Sequence, residues 1–247
     1  MKSFDVTQDL RIAVVTGAAK GLGKAFALSL ADWGYTVVVH YHNSKKDADS
    51  GLAQIKKKAP KSISLSANLK NADEVAGMFG KIEKEYGKVD LLINNVGNFL
   101  YKEFNKTSID EFVDIVESNV FATYFCSRHV LPMMRSTKSG YIINIGTVGV
   151  DTLTVREKST PYFMAKNSLY FLTKAMAWEE AKNGIHVNMI SPASLETDIF
   201  KPSDFPMGRS AKYEDVVKVL RFLISDDAYY INGANIEVAG GFIPGMS

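Results

Sequence analysis

Tyr162 and Lys166 stand four residues apart in a stretch patterned as a helix, which puts both side chains on one face. A phenol beside an ammonium is a tunable proton donor. The positive charge lowers the phenol from its reference pKa near ~10 toward values at which it serves as a general acid. The spacing alone does not select this pair, because Tyr41/Lys45 and Tyr170/Lys174 repeat it. Position does: Tyr41 closes a predicted strand and Tyr170 lies deeper in a helix. Only Tyr162 stands near the start of the helix that follows the fifth predicted strand, beside the strand C-termini where open α/β sheets bind ligands. That fifth strand runs Ile143-Asn144-Ile145-Gly146-Thr147 and ends in a hydroxyl aimed at the same crevice.

A second group of residues could hold a charged cofactor. Val14-Val15-Thr16-Gly17-Ala18-Ala19-Lys20-Gly21-Leu22-Gly23 is a short apolar strand running into three glycines that open an amphipathic helix with Leu22, Phe26, Leu30 and Trp33 on one stripe. Gly17 permits a tight turn, Gly21 lets backbone N–H groups approach a pyrophosphate, and Gly23 lets the helix pack close to the sheet. The helix N-terminus then faces the phosphates with its partial positive charge. An NAD-preferring site places a carboxylate about twenty residues past this turn to bind the ribose 2′-hydroxyl. Val37 to Lys46 contains no Asp or Glu, and offers His40, Asn43 and Ser44 as donors with Lys20 and Lys45 as charges. That set suits a 2′-phosphate, so NADP(H) is the expected cofactor.

The elements that must position these groups are legible as β-branched runs alternating with helical patterns. The runs are Ile12 to Val15, Thr36 to Val39, Ile63 to Leu65, Val89 to Ile93, Tyr141 to Ile145, His186 to Ile190 and Asn235 to Val238. Such alternation predicts an α/β fold, a doubly wound seven-stranded parallel sheet with helices on both faces. No Pro-, Gly- or Ser-rich linker interrupts it, so residues 1–247 are expected to form a single domain. Residues 193–211 hold Pro202, Pro206 and Gly208 with Phe200, Phe205 and Met207, which reads as a substrate lid. Residues 110–131 and 162–178 are patterned as helices apolar on more than one face, with Phe121 and Phe171 among their large side chains, so a homodimer or homotetramer is expected.

In this order and at these separations, the motifs resemble those of the short-chain dehydrogenase/reductase family over essentially the whole chain. Its Thr-Gly-x-x-x-Gly-x-Gly matches Thr16 to Gly23, and its Asn-Asn-Ala-Gly matches Asn94-Asn95-Val96-Gly97. Its Tyr-x-x-x-Lys falls on Tyr162 and Lys166, its central-helix asparagine on Asn119, and its Pro-Gly on Pro192-Ala193. The resemblance implies a single-domain Rossmann fold. It implies that Tyr162 transfers a proton to the substrate oxygen, that Thr147 hydrogen-bonds that oxygen, and that Asn119 keeps a water relay. Lys166 is implied to hold the nicotinamide ribose and depress the tyrosine pKa. Cofactor contacts are implied at Gly17, Lys20, Gly21, Leu22, Gly23, His40, Asn43, Ser44, Asn68, Leu69, Asn95, Val96, Gly97, Tyr162, Lys166, Pro192 and Thr197. Thr147 stands where the family has serine; it keeps the hydroxyl and adds a methyl. Val96 and Ala193 replace an alanine and a glycine, and the stretch from Thr147 to Tyr162 is longer than in many relatives.

In overall character the chain is closest to the 3-oxoacyl carrier-protein reductases. The expected activity is hydride transfer from NADPH to a ketone, foremost a 3-oxoacyl thioester, with acyl carrier protein as a potential partner. His40-Tyr41-His42-Asn43-Ser44 also resembles pteridine reductases, which makes a pterin or other small ketone the alternative, alongside a non-catalytic NADP sensor. Composition narrows the rest. A net charge of +2 with both signs interspersed gives no electrostatic case for nucleic acid or an anionic membrane. The opening Met1-Lys2-Ser3-Phe4-Asp5 lacks the apolar core of a signal peptide, and the single Cys126 forms no internal disulfide; both point to a cytoplasmic protein. His40, His42, His129 and His186 show no metal-ligand spacing.

Overall fold

The computed structural model describes residues 10–153, 156–195 and 202–242. The β-branched runs form seven strands: β1 (Arg11–Val15), β2 (Tyr35–Tyr41), β3 (Ile63–Ser66), β4 (Leu91–Asn94), β5 (Gly140–Ile145), β6 (Ile185–Pro192) and β7 (Asn235–Val238). They pair in parallel in one sheet, in the order β3-β2-β1-β4-β5-β6-β7. The order reverses between β1 and β4, the switch point at which a crevice opens beyond the strand C-termini.

Helices cover both faces because the inner strands are buried on both sides. On one face α1 (Gly21–Asp32), α2 (Lys45–Ile55) and α7 (Tyr213–Leu223) bury Phe26, Leu30, Ile55 and Leu220 against Val37, Val39 and Ile143. On the other, α3 (Ala72–Tyr86), α5 (Ala122–Thr137) and α6 (Thr160–Glu180) bury Phe79, Ile82, Val130 and Met176 against Val14, Leu92 and Ile142. Cys126 lies in this second layer, fully buried, its thiol pushed up to about 12 by desolvation; it is a small core side chain. Lys56, Lys57 and Lys58 form an exposed turn after α2.

A buried polar chain fixes the sheet beneath the crevice. Asn94 Nδ2 donates to Ser127 Oγ at 3.1 Å and Asn144 Oδ1 at 2.9 Å, and Asn144 Nδ2 donates to Thr173 Oγ1 at 2.9 Å. These bonds tie β4 and β5 to α5 and α6, so the strand ends and the start of α6 are held in one frame.

The pattern over 110–131 predicts one continuous helix, and the chain departs from it. α4 (Ile109–Val116) passes through a π turn at Glu117–Phe121 before α5 begins. Asn119 Nδ2 donates to Ile115 O at 2.9 Å, a side-chain bond that accompanies the wider turn. The second apolar faces are confirmed as exposed: Phe171 and Trp178 on α6 are 75% and 87% solvent-accessible, and Phe121 and Tyr124 are also exposed.

Candidate active site

The glycine turn is built by groups distant in sequence. Gly17 (φ +64°) and Gly21 (φ +54°) lie in the left-handed region that glycine tolerates. Gly23 packs so close to the Gly17 carbonyl that any side chain at 23 would overlap it. Thr16 Oγ1 donates to Ile93 O at 3.2 Å and accepts from the N–H groups of Asn95 (2.8 Å) and Val96 (3.1 Å), which locks the turn to the segment after β4. Asn95 Nδ2 adds a bond to Thr16 O at 3.0 Å, and the Val96 side chain packs beside Gly17. Helix α1 has no side chain capping its N-terminus and no acid in its first turn, whereas α3 is capped by Asn71 and α4 by Ser108 with Glu111. Its first N–H groups are therefore left for an anion.

His40 corrects an expectation. It is buried, and both ring nitrogens are engaged by backbone: Nδ1 accepts from Gly17 N–H at 3.0 Å and Nε2 bonds Ala67 O at 3.0 Å. It braces the glycine turn, and neither ring nitrogen is left to donate to a 2′-phosphate. The arrangement needs the neutral tautomer with hydrogen on Nε2, and burial, with a smaller contribution from His42, lowers its pKa from 6.5 to about 4. As pH falls, the unfolded chain takes up a proton first. The stabilisation is thus complete above pH 6.5 and lost progressively toward pH 4, about 3 kcal/mol in all. Denaturant unfolding across this range should show a steeper loss for the parent chain than for His40→Gln; identical pH dependence would refute the assignment.

Exposed groups gather where β2 ends. His42 and Asn43 are exposed, and Ser44 is the N-cap of α2 without a side-chain capping bond. Lys20 pairs with Asp47 at 3.0 Å and Lys45 with Asp49 at 2.7 Å, so neither expected cation is unpaired. Both pairs are solvent-exposed and so hold their lysines only weakly. Leu69 is buried after β3, and Asn68 beside it accepts from Lys70 N–H at 3.2 Å through Oδ1.

The catalytic candidates converge at the ends of β4, β5 and β6, around a cavity of about 610 Å³. Thr147, Tyr162 and Lys166 line it with Leu22, Asn95, Gly97, Pro192 and Ala193. Despite the longer stretch between them, Thr147 and Tyr162 line the same cavity, with the Thr147 hydroxyl on the side of the phenol. Lys166 is buried, donates to Ile145 O at 2.8 Å, and lies 5.6 Å from the Tyr162 ring centroid. Burial pushes Tyr162 up to about 12, against a lowering by the Thr147 hydroxyl, and lowers Lys166 to about 8. This reverses the sequence expectation for the phenol: desolvation outweighs its neighbour, and Tyr162 is held protonated. Asn119 Nδ2 donates to Asn98 O at 3.0 Å, while its buried Oδ1 has no hydrogen-bond partner and lies against Gly97.

The other matching pairs are not sites of this kind. Lys174 lies 5.0 Å from the Tyr170 ring but is exposed, and Tyr41 and Lys45 fall on different elements. Sequence reasoning missed several lining residues, Val148 and Phe242 among them. Phe99 packs edge-on against Tyr162 with centroids 4.9 Å apart, and Tyr101 and Arg156 complete the wall. Within the expected lid, Ser194 and Leu195 line the cavity, and Phe205 is buried beside Phe242 at 6.0 Å. Thr197 and Phe200 lie outside the described residues.

The chain is similar to known proteins over most of its length. A family model described as enoyl-(acyl carrier protein) reductase matches residues 17–243. The 3-oxoacyl-(acyl-carrier-protein) reductase FabG of Staphylococcus aureus is 32% identical over 243 residues, covering 93% of this chain and 96% of its own. The 3-oxoacyl-(acyl-carrier-protein) reductase of Synechocystis is 32% identical over 241 residues, covering 94% and 97%. Among solved structures, acetoin dehydrogenase from Enterobacter cloacae aligns with a TM-score of 0.87 at 25% identity, covering 94% of this chain and 95% of its own.

Proposed function

The chain belongs to the short-chain dehydrogenase/reductase family of oxidoreductases, and from that premise we propose that it is an NADPH-dependent reductase of a ketone. The observation that carries this reading is the meeting of Thr147, Tyr162 and Lys166 in one cavity bordered by Leu22, Asn95 and Gly97. The residues present fit a dinucleotide: two left-handed glycines, a Gly23 whose missing side chain lets the turn close, and an uncapped α1 N-terminus. Gly17, Gly21, Leu22 and Gly23 would hold the pyrophosphate, Asn68 and Leu69 the adenine side, and Asn95, Val96, Gly97, Lys166 and Pro192 the nicotinamide half. When bound, the cofactor supplies the hydride.

The chain's own groups do the rest. Tyr162, protonated up to about pH 12, gives its proton to the substrate oxygen, and Thr147 hydrogen-bonds the same oxygen. Lys166 supplies positive charge beside Tyr162, and Asn119 supports a water relay that restores the proton. Residues 193–211 act as the substrate lid of a single domain. Turnover of NADPH with any simple ketone tests the reading, and its absence across a broad panel would favour a non-catalytic sensor. The relatives' names put 3-oxoacyl thioesters, free or on a carrier protein, in that panel.

Cofactor choice follows from the end of β2. Asn43, Ser44 and Lys20, the last released from Asp47, would hold a 2′-phosphate there, beside the N-terminus of α2 that no side chain caps. NADPH should exceed NADH in kcat/KM by at least ~10-fold, about 1.4 kcal/mol. Lys20→Ala should weaken NADPH selectively, and equal efficiency of the two cofactors in steady-state kinetics would refute the assignment. The exposed apolar faces around Phe121 and Phe171 support a homotetramer or homodimer. Sedimentation yielding only the 27.2 kDa chain would reject that.

A further inference from the structure

Arg156 is placed where the proposed reaction has no need of it. It is partly buried and lines the same cavity as Thr147 and Tyr162. Lys166, the other cation on that wall, is already committed to the Ile145 carbonyl at 2.8 Å. Arg156 makes no ion pair among the described residues, and none of the described lining residues is an Asp or Glu. The remaining wall is largely apolar, with Phe99, Tyr101, Leu195 and Phe242 among its members.

Two backbone hydrogen bonds hold the segment from Arg156 to Ser159. Arg156 O accepts from Ser159 N at 3.3 Å, and Lys158 O accepts from Lys102 N at 2.6 Å, which joins the segment after β5 to the one after β4. Lys158 adopts φ +61°, and its ammonium lies 5.9 Å from the Tyr101 ring centroid. The added length between Thr147 and Tyr162 leaves both at the cavity and brings Arg156 to it as well.

Arg156 stands on a largely apolar wall with no ion pair among the described residues, and an anion in the cavity would bind it through charge-assisted hydrogen bonds. We propose that the physiological substrate is an oxo acid, a compact ketone whose carboxylate or phosphate is bound by Arg156 while its carbonyl oxygen meets Tyr162 and Thr147. This rests on the reading of Tyr162 as the proton donor to a ketone. A thioester of a carrier protein fits less well, since it has no charge next to its keto group and its phosphate lies at the far end of the pantetheine arm. Arg156 is then the residue that sets substrate class.

The test compares acetoacetate, its ethyl ester and acetoacetyl-CoA in NADPH oxidation by the full chain and by Arg156→Met and Arg156→Lys. The acid should be preferred over the ester, and the acid-to-ester ratio of kcat/KM should fall about 30-fold in Arg156→Met, mainly through KM, with partial rescue by lysine. An unchanged ratio, an equal loss on acid and ester, or a parent preference for ester or thioester would overturn the proposal. Calorimetric titration with acetoacetate and with acetonyl phosphate gives a readout independent of turnover, and the tighter ligand identifies the anion. If no ketone is reduced, the reductase reading fails by itself. The anion site then stands if acetoacetate or acetonyl phosphate binds the parent chain about 30-fold more tightly than Arg156→Met, and falls if the two bind alike.

Discussion

Tyr162→Phe lowers kcat for ketone reduction by ~100-fold or more and leaves thermal stability and NADPH affinity close to those of the parent chain. Only the hydroxyl is removed. The ring keeps its edge contacts with Phe99, at 4.9 Å between centroids, and with Phe163, at 5.9 Å, so the wall of the cavity is preserved. What is lost is the hydroxyl beside Thr147 and the proton it holds at neutral pH. Tyr170→Phe is the control: its pair with Lys174 has similar ring geometry but an exposed lysine, so its kcat should not move. Near-normal turnover in Tyr162→Phe, or abolition by Tyr170→Phe, would transfer the catalytic role elsewhere. Lys166→Met should impair both turnover and cofactor affinity, because its ammonium is buried beside Tyr162.

Gly23→Ala should abolish function by a different route, through the backbone. A Cβ at this position overlaps the Gly17 carbonyl and comes within 2.7 Å of Asn95 Nδ2. Neither can yield cheaply: Gly17 is tied to His40 through its N–H, and Asn95 is bonded to Thr16. Overpacking against a fixed backbone costs ~3 kcal/mol or more, and moving α1 away from the turn should weaken NADPH binding by ~100-fold or more. The same substitution at Gly77, exposed on α3 with nothing within 4 Å of its would-be Cβ, should instead stabilise the chain by about 0.5–1 kcal/mol. Urea unfolding and fluorescence titration with NADPH measure both. A Gly23→Ala protein as stable and as tightly binding as its parent would mean that the turn can open without penalty.

Much of the framework was legible from local patterns. Each predicted strand overlaps an observed one, because β-branched runs buried on both faces carry a signal within a few residues. The roles of Gly17 and Gly23 were readable for the same reason, since a turn and a close helix approach each demand a residue without Cβ. Tyr162 was distinguishable from Tyr41 and Tyr170 because the alternation of elements already placed it beside the crevice. The π turn around Asn119 was not legible: the apolar stripe runs through it unbroken, and only the packing shows where the helix widens.

The order of elements, the parallel sheet and the Tyr162/Lys166 pair were thus determined by sequence alone, as properties of neighbours along the chain. Only the tertiary structure decided what each polar group does. His40 became a brace because Gly17 and Ala67, 23 and 27 residues away, claim its two nitrogens. Tyr162 kept a high pKa because the surrounding wall removes water, and Arg156 gained a place in the site because Lys158 is bonded to the loop after β4. Desolvation and partner choice are set by groups brought together from distant segments, and no spacing along the chain encodes them.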